Sequence, residues 1–283
     1  DNGVNYSASG QNQYVSWTFR KAPGFFDVVT YTGDGTAGRT VSHNLGSVPG
    51  MIFIKDIGRT QNWRVYHRSN GANYSFFLNG SNGTALRYDD VNAFNDAEPT
   101  STVFTVGNDS DVNTFGQNYI AYLFAHDDQS FGTDSDEAII KCGSYTGNGS
   151  ATGPEIDLGF EPQFLMVKIS QDADDLTGPW IIQDAMRNGE VTSNVTNGIY
   201  ANTSGAESTT APNLGVTATG FQPRSTSSYV NRNGSSYVYM AIRRPHKPPT
   251  AGTDVFAPQA SRSASNGTAS QLHFTSNFPV DLL

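Results

Sequence analysis

Two copies of one series of motifs fill most of this 283-residue chain, and this repeat constrains the fold more than any other feature. The string Tyr31-Thr-Gly-Asp-Gly-Thr36 recurs 114 residues later as Tyr145-Thr-Gly-Asn-Gly-Ser150. Three further motifs follow in the same order in both copies: Leu45-Gly-Ser-Val-Pro49 and Leu158-Gly-Phe-Glu-Pro162, Trp63 and Trp180, and Gly116-Gln-Asn-Tyr119 and Gly234-Ser-Ser-Tyr237. An ordered series with nearly constant spacing indicates duplicated structural units.

Incomplete copies of the same series stand near both ends of the chain. Tyr14-Val-Ser-Trp-Thr-Phe19 matches the closing motif, and Ser265-Asn-Gly-Thr268 with Phe278-Pro279 matches the opening one. We therefore expect a window cut from a longer array. The expected division is the end of a preceding unit with a linker (1–23), unit one (24–126), unit two (127–243), and a Pro-rich linker with the start of a further unit (244–283).

The local pattern within each unit is that of β-structure. Runs such as Tyr119–Phe124 and Phe164–Val167 have the composition of strands, and Asn-Gly pairs at Asn79, Asn148 and Asn233 favour tight hairpin turns. No window carries a helical stripe longer than about two turns. The sequence predicts an all-β chain of tandem β-sandwich units, jelly-roll-like or immunoglobulin-like, arranged in series in a modular fibre or appendage.

Charge and hydropathy argue against two classes of partner. Lys and Arg number 17 against 26 Asp and Glu, which gives a net charge of −9, and no basic run exceeds two residues. A surface that tracks nucleic-acid phosphates needs basic clusters, so we expect no nucleic acid. No apolar stretch approaches the roughly 18 residues of a membrane span, so we expect no membrane insertion.

Histidine, cysteine and acidic residues, which often form catalytic or metal sites, are present but lack the spacing of such sites. His67 and the other four histidines have no metal-binding spacing, and the lone Cys142 lies in an apolar run typical of a core residue. Acidic pairs such as Asp127-Asp128 are expected to be solvated turn carboxylates rather than calcium ligands. No serine elbow or phosphate loop occurs. We expect no enzyme activity, no catalytic residue, no cofactor and no metal.

Aromatic residues are the one sequence signal for ligand binding, because sugar rings stack on Trp and Tyr. Trp63 recurs as Trp180, which favours a packing role for both. Tyr74 and Tyr88 have no counterpart in the second copy, so they are the candidates for a ligand-binding surface.

The motifs also resemble a known family. The string from Tyr14 to Gly33, together with Asn44-Leu-Gly-Ser-Val-Pro-Gly-Met51, Trp63-Arg-Val-Tyr-His67 and Gly143-Ser-Tyr-Thr-Gly-Asn-Gly149, resembles the tail-fibre-like repeat proteins of marine bacteriophages. The resemblance covers nearly the whole chain. It implies a large modular protein of the virion surface, and it supplies no catalytic residue.

Together these observations predict a structural component of a bacteriophage virion: a tail fibre, an appendage or a capsid-surface fibre that contacts the host surface. The expected partners are other virion proteins and copies of the same chain, with a trimer as one arrangement, and the expected location is the extracellular virion surface. The alternatives are a carbohydrate-binding adhesin that recognises host polysaccharide and, ranked below it, a capsule depolymerase.

Overall fold

The computed structural model describes residues 16–80, 88–89, 91–131, 137–172, 178–185, 195–203 and 205–244. The described residues all belong to one compact unit. The predicted start of a further unit and Tyr14 of the first partial motif lie outside the described residues.

The first copy of the motif series folds as one large antiparallel sheet with a small one beside it. Its elements are β1 (Phe26–Thr32), β2 (Arg39–Ser42), β3 (Met51–Asp56), β4 (Arg64–His67), β5 (Tyr74–Phe77), β6 (Tyr88–Asp89), α1 (Val91–Phe94), β7 (Val103–Val106), α2 (Ser110–Asn113) and β8 (Asn118–Phe124). The large sheet has the order β1-β8-β3-β4-β5-β6, and the small sheet pairs β2 with β7.

The second copy is built in the same way. Its strands are β9 (Ile140–Thr146), β10 (Ile156–Asp157), β11 (Pro162–Gln171), β12 (Ile181–Asp184), β13 (Val195–Tyr200), β14 (Ser208–Pro212), β15 (Val216–Thr217), β16 (Gly220–Phe221) and β17 (Ser236–Arg243). The large sheet has the order β14-β13-β12-β11-β17-β9, and the small one has the order β10-β16-β15. Among the residues described, the chain is therefore all-β apart from two four-residue helices, as the sequence predicts.

The strand register repeats along with the sequence. Tyr31 pairs with Tyr119 in the first sheet, and Tyr145 pairs with Tyr237 in the second. Next to them, Met51 pairs with Phe124 and with His67, while Phe164 pairs with Ile242 and with Asp184. This register puts Trp63 and Trp180 at the same position, one residue before β4 and before β12. We call residues 24–126 and 127–243 the first and second repeats.

A small sheet covers the outer face of each large sheet. The ring of Tyr31 meets Phe104 of β7 edge-on at 6.2 Å, and Tyr145 meets Phe221 of β16 in the same way at 5.8 Å. Burying apolar area on this face stabilises each repeat by roughly 25 cal/mol per Å² removed from water.

The inner faces of the two large sheets share one hydrophobic core. Residues of β3, β5 and β8 join residues of β9, β11, β12 and β17 in a single cluster of buried side chains. The expectation of units arranged in series like beads therefore does not describe residues 16–244. Strands such as β3 and β11 are continuous apolar runs because both of their faces are covered, one by the small sheet and one by the other repeat.

Candidate functional site

A stacked tyrosine pair fixes the end of each large sheet. The rings of Tyr31 and Tyr119 stack with centroids 5.2 Å apart, and the hydroxyl of Tyr31 donates to the main-chain oxygen of Val112 at 2.7 Å. The hydroxyl of Tyr119 accepts from the main-chain N–H of Thr114 at 2.8 Å and donates to the oxygen of Ser110 at 3.0 Å. Both buried hydroxyls are thus satisfied by the segment that leads into β8.

A buried asparagine ties the Tyr-Thr-Gly-Asp-Gly loop to the same segment. The amide nitrogen of Asn113 donates to the side chain of Asp34 and to the main-chain oxygens of Thr36 and Gly107, at 2.9–3.1 Å. Its side-chain oxygen accepts from the N–H of Asp34, and its main-chain oxygen accepts from the N–H of Gly35. We call this set of bonds the asparagine clamp.

The second repeat reproduces four of the five bonds of the clamp, including the bond from the N–H of Gly149 to the main-chain oxygen of Asn231 at 2.9 Å. The Asn231 amide donates to the side chain of Asn148 and to the oxygen of Ser150, and it accepts from the N–H of Asn148. Tyr145 donates to the oxygen of Val230 at 2.7 Å and stacks on Tyr237 at 5.0 Å. The motif is therefore a structural device that holds a loop against the closing strand.

The clamp residues were missed by the sequence reasoning, which began the closing motif at Gly116 and Gly234. The shared signal is Val-Asn-x-x-Gly-x-x-Tyr, present as Val112-Asn-Thr-Phe-Gly-Gln-Asn-Tyr119 and as Val230-Asn-Arg-Asn-Gly-Ser-Ser-Tyr237. This signal begins four residues before the glycine of the closing motif. Its glycines have φ of 73° and 78°, the left-handed region that glycine occupies without strain.

Contacts between the repeats involve the residues that the sequence analysis treated as ordinary core. Trp180 of the second repeat packs edge-on against Phe76 at 5.4 Å, and its indole N–H donates to the oxygen of Phe77 at 3.0 Å. His67 of the first repeat is fully buried, and its Nε2 lies 3.1 Å from the oxygen of Tyr239. These bonds cross from one large sheet to the other.

The histidines at this contact are neutral. Nδ1 of His67 accepts from the N–H of Ser69, so Nε2 carries the proton and donates to Tyr239. Burial lowers the pKa of His67 to about 4, and burial likewise lowers the pKa of His126 to about 4. Burial raises the pKa of the Cys142 thiol, which keeps it protonated, in agreement with a core role for this residue.

An ion-pair group is special to the first repeat. The buried guanidinium of Arg64 lies 2.8 Å from Asp109 and 3.1 Å from Asp111, and it packs over the ring of Phe77 at 4.3 Å. Ile181 takes the same register position in the second repeat. Both carboxylates also accept hydrogen bonds from main-chain N–H groups. The charges of this ion-pair group are therefore bonded within the first repeat.

Two aspartates of the acidic turns are paired with basic side chains. Asp127 pairs with Lys141 at 3.3 Å, and Asp172 pairs with Arg232 at 3.1 Å. Within the described ranges, no three His, Cys, Asp or Glu side chains converge in a way that would hold a metal ion.

The predicted binding tyrosines lie on neighbouring strands at the edge of the first large sheet. Tyr74 begins β5 and is half-buried, and Tyr88 begins β6. The register pairs Tyr74 with Asp89 and Tyr88 with Ser75, so the two tyrosines are not direct partners. The side chain of Tyr88 is outside the described part, and the joint surface stays a prediction.

The segment before the first repeat packs between the two large sheets. Phe19 meets Phe124 edge-on at 5.3 Å and Phe164 at 6.4 Å, and the indole N–H of Trp17 donates to Asp184 at 2.9 Å. Both aromatic side chains are half-buried against the shared core. Residues 16–20 form no strand, so they do not pair as the closing strand of a preceding unit within the described segment.

The fold defines this molecule, in its described residues, as an all-β protein in which two six-stranded antiparallel sheets share one core. Residues 2–245 match a domain of unknown function, DUF7483, and the chain belongs to this family. No curated protein and no solved structure matches the chain. In the part of the chain that the structure describes, no helix is both long enough and apolar enough to span a membrane.

Proposed function

We propose that this chain is a structural component of a bacteriophage virion, placed in a tail fibre, an appendage or a capsid-surface fibre. Its function in this proposal is assembly, with no catalytic step. Copies of the chain and other virion proteins are its partners, and each repeat acts as a sandwich-like building unit of a longer array on the extracellular face of the particle.

The observation that carries the proposal is the duplicated asparagine clamp. Asn113 and Asn231 hold equivalent loops through the same main-chain bonds, so rigid loop ends have been kept in both copies although the loops differ in charge at Asp34 and Asn148. A unit whose main-chain hydrogen bonds recur while its exposed side chains differ is typical of a repeated structural protein. The low charged fraction of 15% also limits the cost of burying faces between subunits.

Locating the chain on particles tests the proposal. Phage particles that encode the chain should contain it in stoichiometric copy number by quantitative mass spectrometry, and antibodies against it should label one site on the particle in electron micrographs. Purified particles that lack the chain would overturn the proposal.

A carbohydrate-binding adhesin is the second candidate, and one observation favours it. Trp63 is half-buried and its ring stacks with Tyr122 at 6.0 Å, whereas the equivalent Trp180 is buried. The side chain of Asn79 accepts from the main-chain N–H of Trp63 and donates to the side chain of Asn62. Glycan-array binding that is lost in Trp63→Ala would favour the adhesin, and release of reducing ends from host capsule would favour a depolymerase instead.

A further inference from the structure

Each large sheet ends in an equivalent strand, β1 in the first repeat and β9 in the second. In both strands the main-chain groups of odd-numbered residues face the neighbouring strand of the sheet, β8 or β17. At the ends of these strands, the N–H of Gly33 donates to the oxygen of Gln117, and the N–H of Gly147 donates to the oxygen of Ser235. The even-numbered residues therefore direct their main-chain N–H and C=O groups away from the sheet. Such an edge is a template for another strand unless the protein blocks it.

The first repeat blocks most of its edge; among the described residues, only the main-chain groups of Thr30 and the N–H of Thr32 lack a partner there. Phe26 forms a bridge with Ala22, and the N–H of Val28 is bonded to the side chain of Asp27. The ammonium of Lys21 donates to the oxygen of Val28, and the guanidinium of Arg39 donates to the oxygen of Thr32.

The second repeat blocks only the first half of its edge. The oxygen of Ile140 accepts from the N–H of Asp127 at 2.8 Å, and the N–H of Cys142 donates to Nδ1 of His126 at 3.1 Å. Beyond this point, among the described residues, the outward N–H and C=O groups of Ser144 and Thr146 have no partner, and both residues are exposed. Counted from the opening tyrosine of each motif series, the position of Arg39 corresponds to Gly153, which has no side chain to cap this edge.

We propose that the open half of β9 is an interface at which a second copy of this chain adds its own β9. An antiparallel pairing about a two-fold axis at Tyr145 places Ser144 opposite Thr146 of the second copy, and the reverse. This arrangement satisfies all four open groups of each copy with four main-chain hydrogen bonds. It joins two six-stranded sheets into one.

A second copy fits this edge better than another partner because the edge is self-complementary and neutral. The chain carries a net charge of −9, which disfavours most contacts between copies. The exposed residues of the open stretch are the uncharged Ser144 and Thr146, and Lys141, farther along the same strand, pairs with Asp127 at 3.3 Å. The inference rests on the assembly function proposed above, and it assigns the surface through which copies meet.

Matched variants of the two edges test the inference in the full 283-residue chain. Thr146→Pro removes an outward N–H without touching the bonds to β17. Thr32→Pro removes the equivalent N–H from β1, where the oxygen of Thr32 is already bonded to Arg39. By the two-fold symmetry Thr146→Pro removes two of the four bonds, so the dimer dissociation constant from analytical ultracentrifugation should rise roughly 10- to 100-fold. Thr32→Pro should leave it within about two-fold of wild type.

A second pair of variants guards against a folding defect in the proline variants. Ser144→Lys places a charge at the proposed interface, and Thr30→Lys places it at the equivalent position of β1. Only the first should weaken self-association, with far-ultraviolet circular dichroism and melting temperature unchanged in both. If the wild-type chain dimerises and neither β9 variant weakens the dimer, the proposed edge interface is wrong, but the proposed assembly function is unaffected. If the wild-type chain is monomeric, the edge interface is also wrong. The assembly function is contradicted only if the chain is absent from phage particles.

Discussion

The indole N–H of Trp180 donates to the main-chain oxygen of Phe77 at 3.0 Å, which bonds the second repeat to the fifth strand of the first. Trp63 takes the same register position in its own repeat, yet it stacks on Tyr122 of that repeat and remains half-buried. One position of the repeat therefore holds the two large sheets together in one copy and lies at the surface in the other.

Trp180→Phe should destabilise the protein by about 2 kcal/mol, because it leaves the oxygen of Phe77 without a donor and opens a small cavity. Trp63→Phe is the matched control and should cost less than about 1 kcal/mol, since its ring is partly in water. Urea unfolding followed by circular dichroism measures both. Equal losses in the two variants would contradict the unequal roles of the tryptophans.

Removal of one clamp should weaken the whole described body rather than one repeat. Asn231→Ala leaves the N–H of Asn148 and the oxygen of Ser150 unpaired, which should cost about 2–4 kcal/mol. Because the two sheets share one core, unfolding should remain a single transition. Asn233→Ala, at an exposed position of the same loop, is the control and should change stability by less than about 0.5 kcal/mol. Two separate transitions in calorimetry would show that the repeats unfold independently.

The sequence was sufficient to predict the strands and their equivalence, because the Tyr-Thr-Gly loop and the closing strand are local patterns that recur. It was not sufficient to predict that the inner faces meet. The period of two within β8 shows that both faces carry large residues, but it does not say which surface covers each face. His67 illustrates the limit: its acceptor is Tyr239, 172 residues away in the other repeat.

The two clamp asparagines recur in the sequence, but their role could not be predicted for a different reason. Asn113 and Asn231 are single polar residues in segments of low strand propensity, and a search for aromatic and glycine motifs passes over them. A buried asparagine that makes several main-chain bonds reveals itself only when the loop it holds, such as Asp34–Thr36, is known to lie against it. The predicted surface of Tyr74 and Tyr88 has the same limitation, because no local pattern says which face a tyrosine will occupy.

The first position of the repeated loop requires glycine because the main chain of another segment lies too close for a side chain, and not because of its φ angle. A methyl group added at Gly147 would lie 2.2 Å from the main-chain oxygen of Arg232. Gly147→Ala should therefore cost about 3 kcal/mol or more, because the atom in the way is backbone and cannot move aside cheaply. Gly58→Ala meets its nearest neighbours only at 3.7 Å and should be nearly neutral. Thermal melting of the two variants checks the difference, and a tolerated Gly147→Ala would mean that the loop can shift.

The contact between the repeats should weaken in mild acid. His67 has an ordinary pKa of 6.5 in the unfolded chain and about 4 when folded, so the unfolded chain binds more protons between these values. Its contribution to stability is fully present above about pH 6.5 and is lost as the pH falls toward 4, by on the order of 3 kcal/mol in total. His126 changes in the same direction. Carboxylates such as Asp27, whose pKa is lowered from 3.8, respond only below this window.

His67→Gln separates this effect from general acid denaturation. The glutamine amide can still donate to the oxygen of Tyr239 but does not titrate, so the variant should lose about 1 kcal/mol or less at pH 7.5 and show a smaller slope between pH 6.5 and 4.5. Free energies of unfolding from urea titrations at four or five pH values give both slopes. If wild type and variant lose stability in parallel across this range, then His67 does not carry the pH dependence, and the neutral histidine between the two sheets is not the acid-sensitive element of the fold.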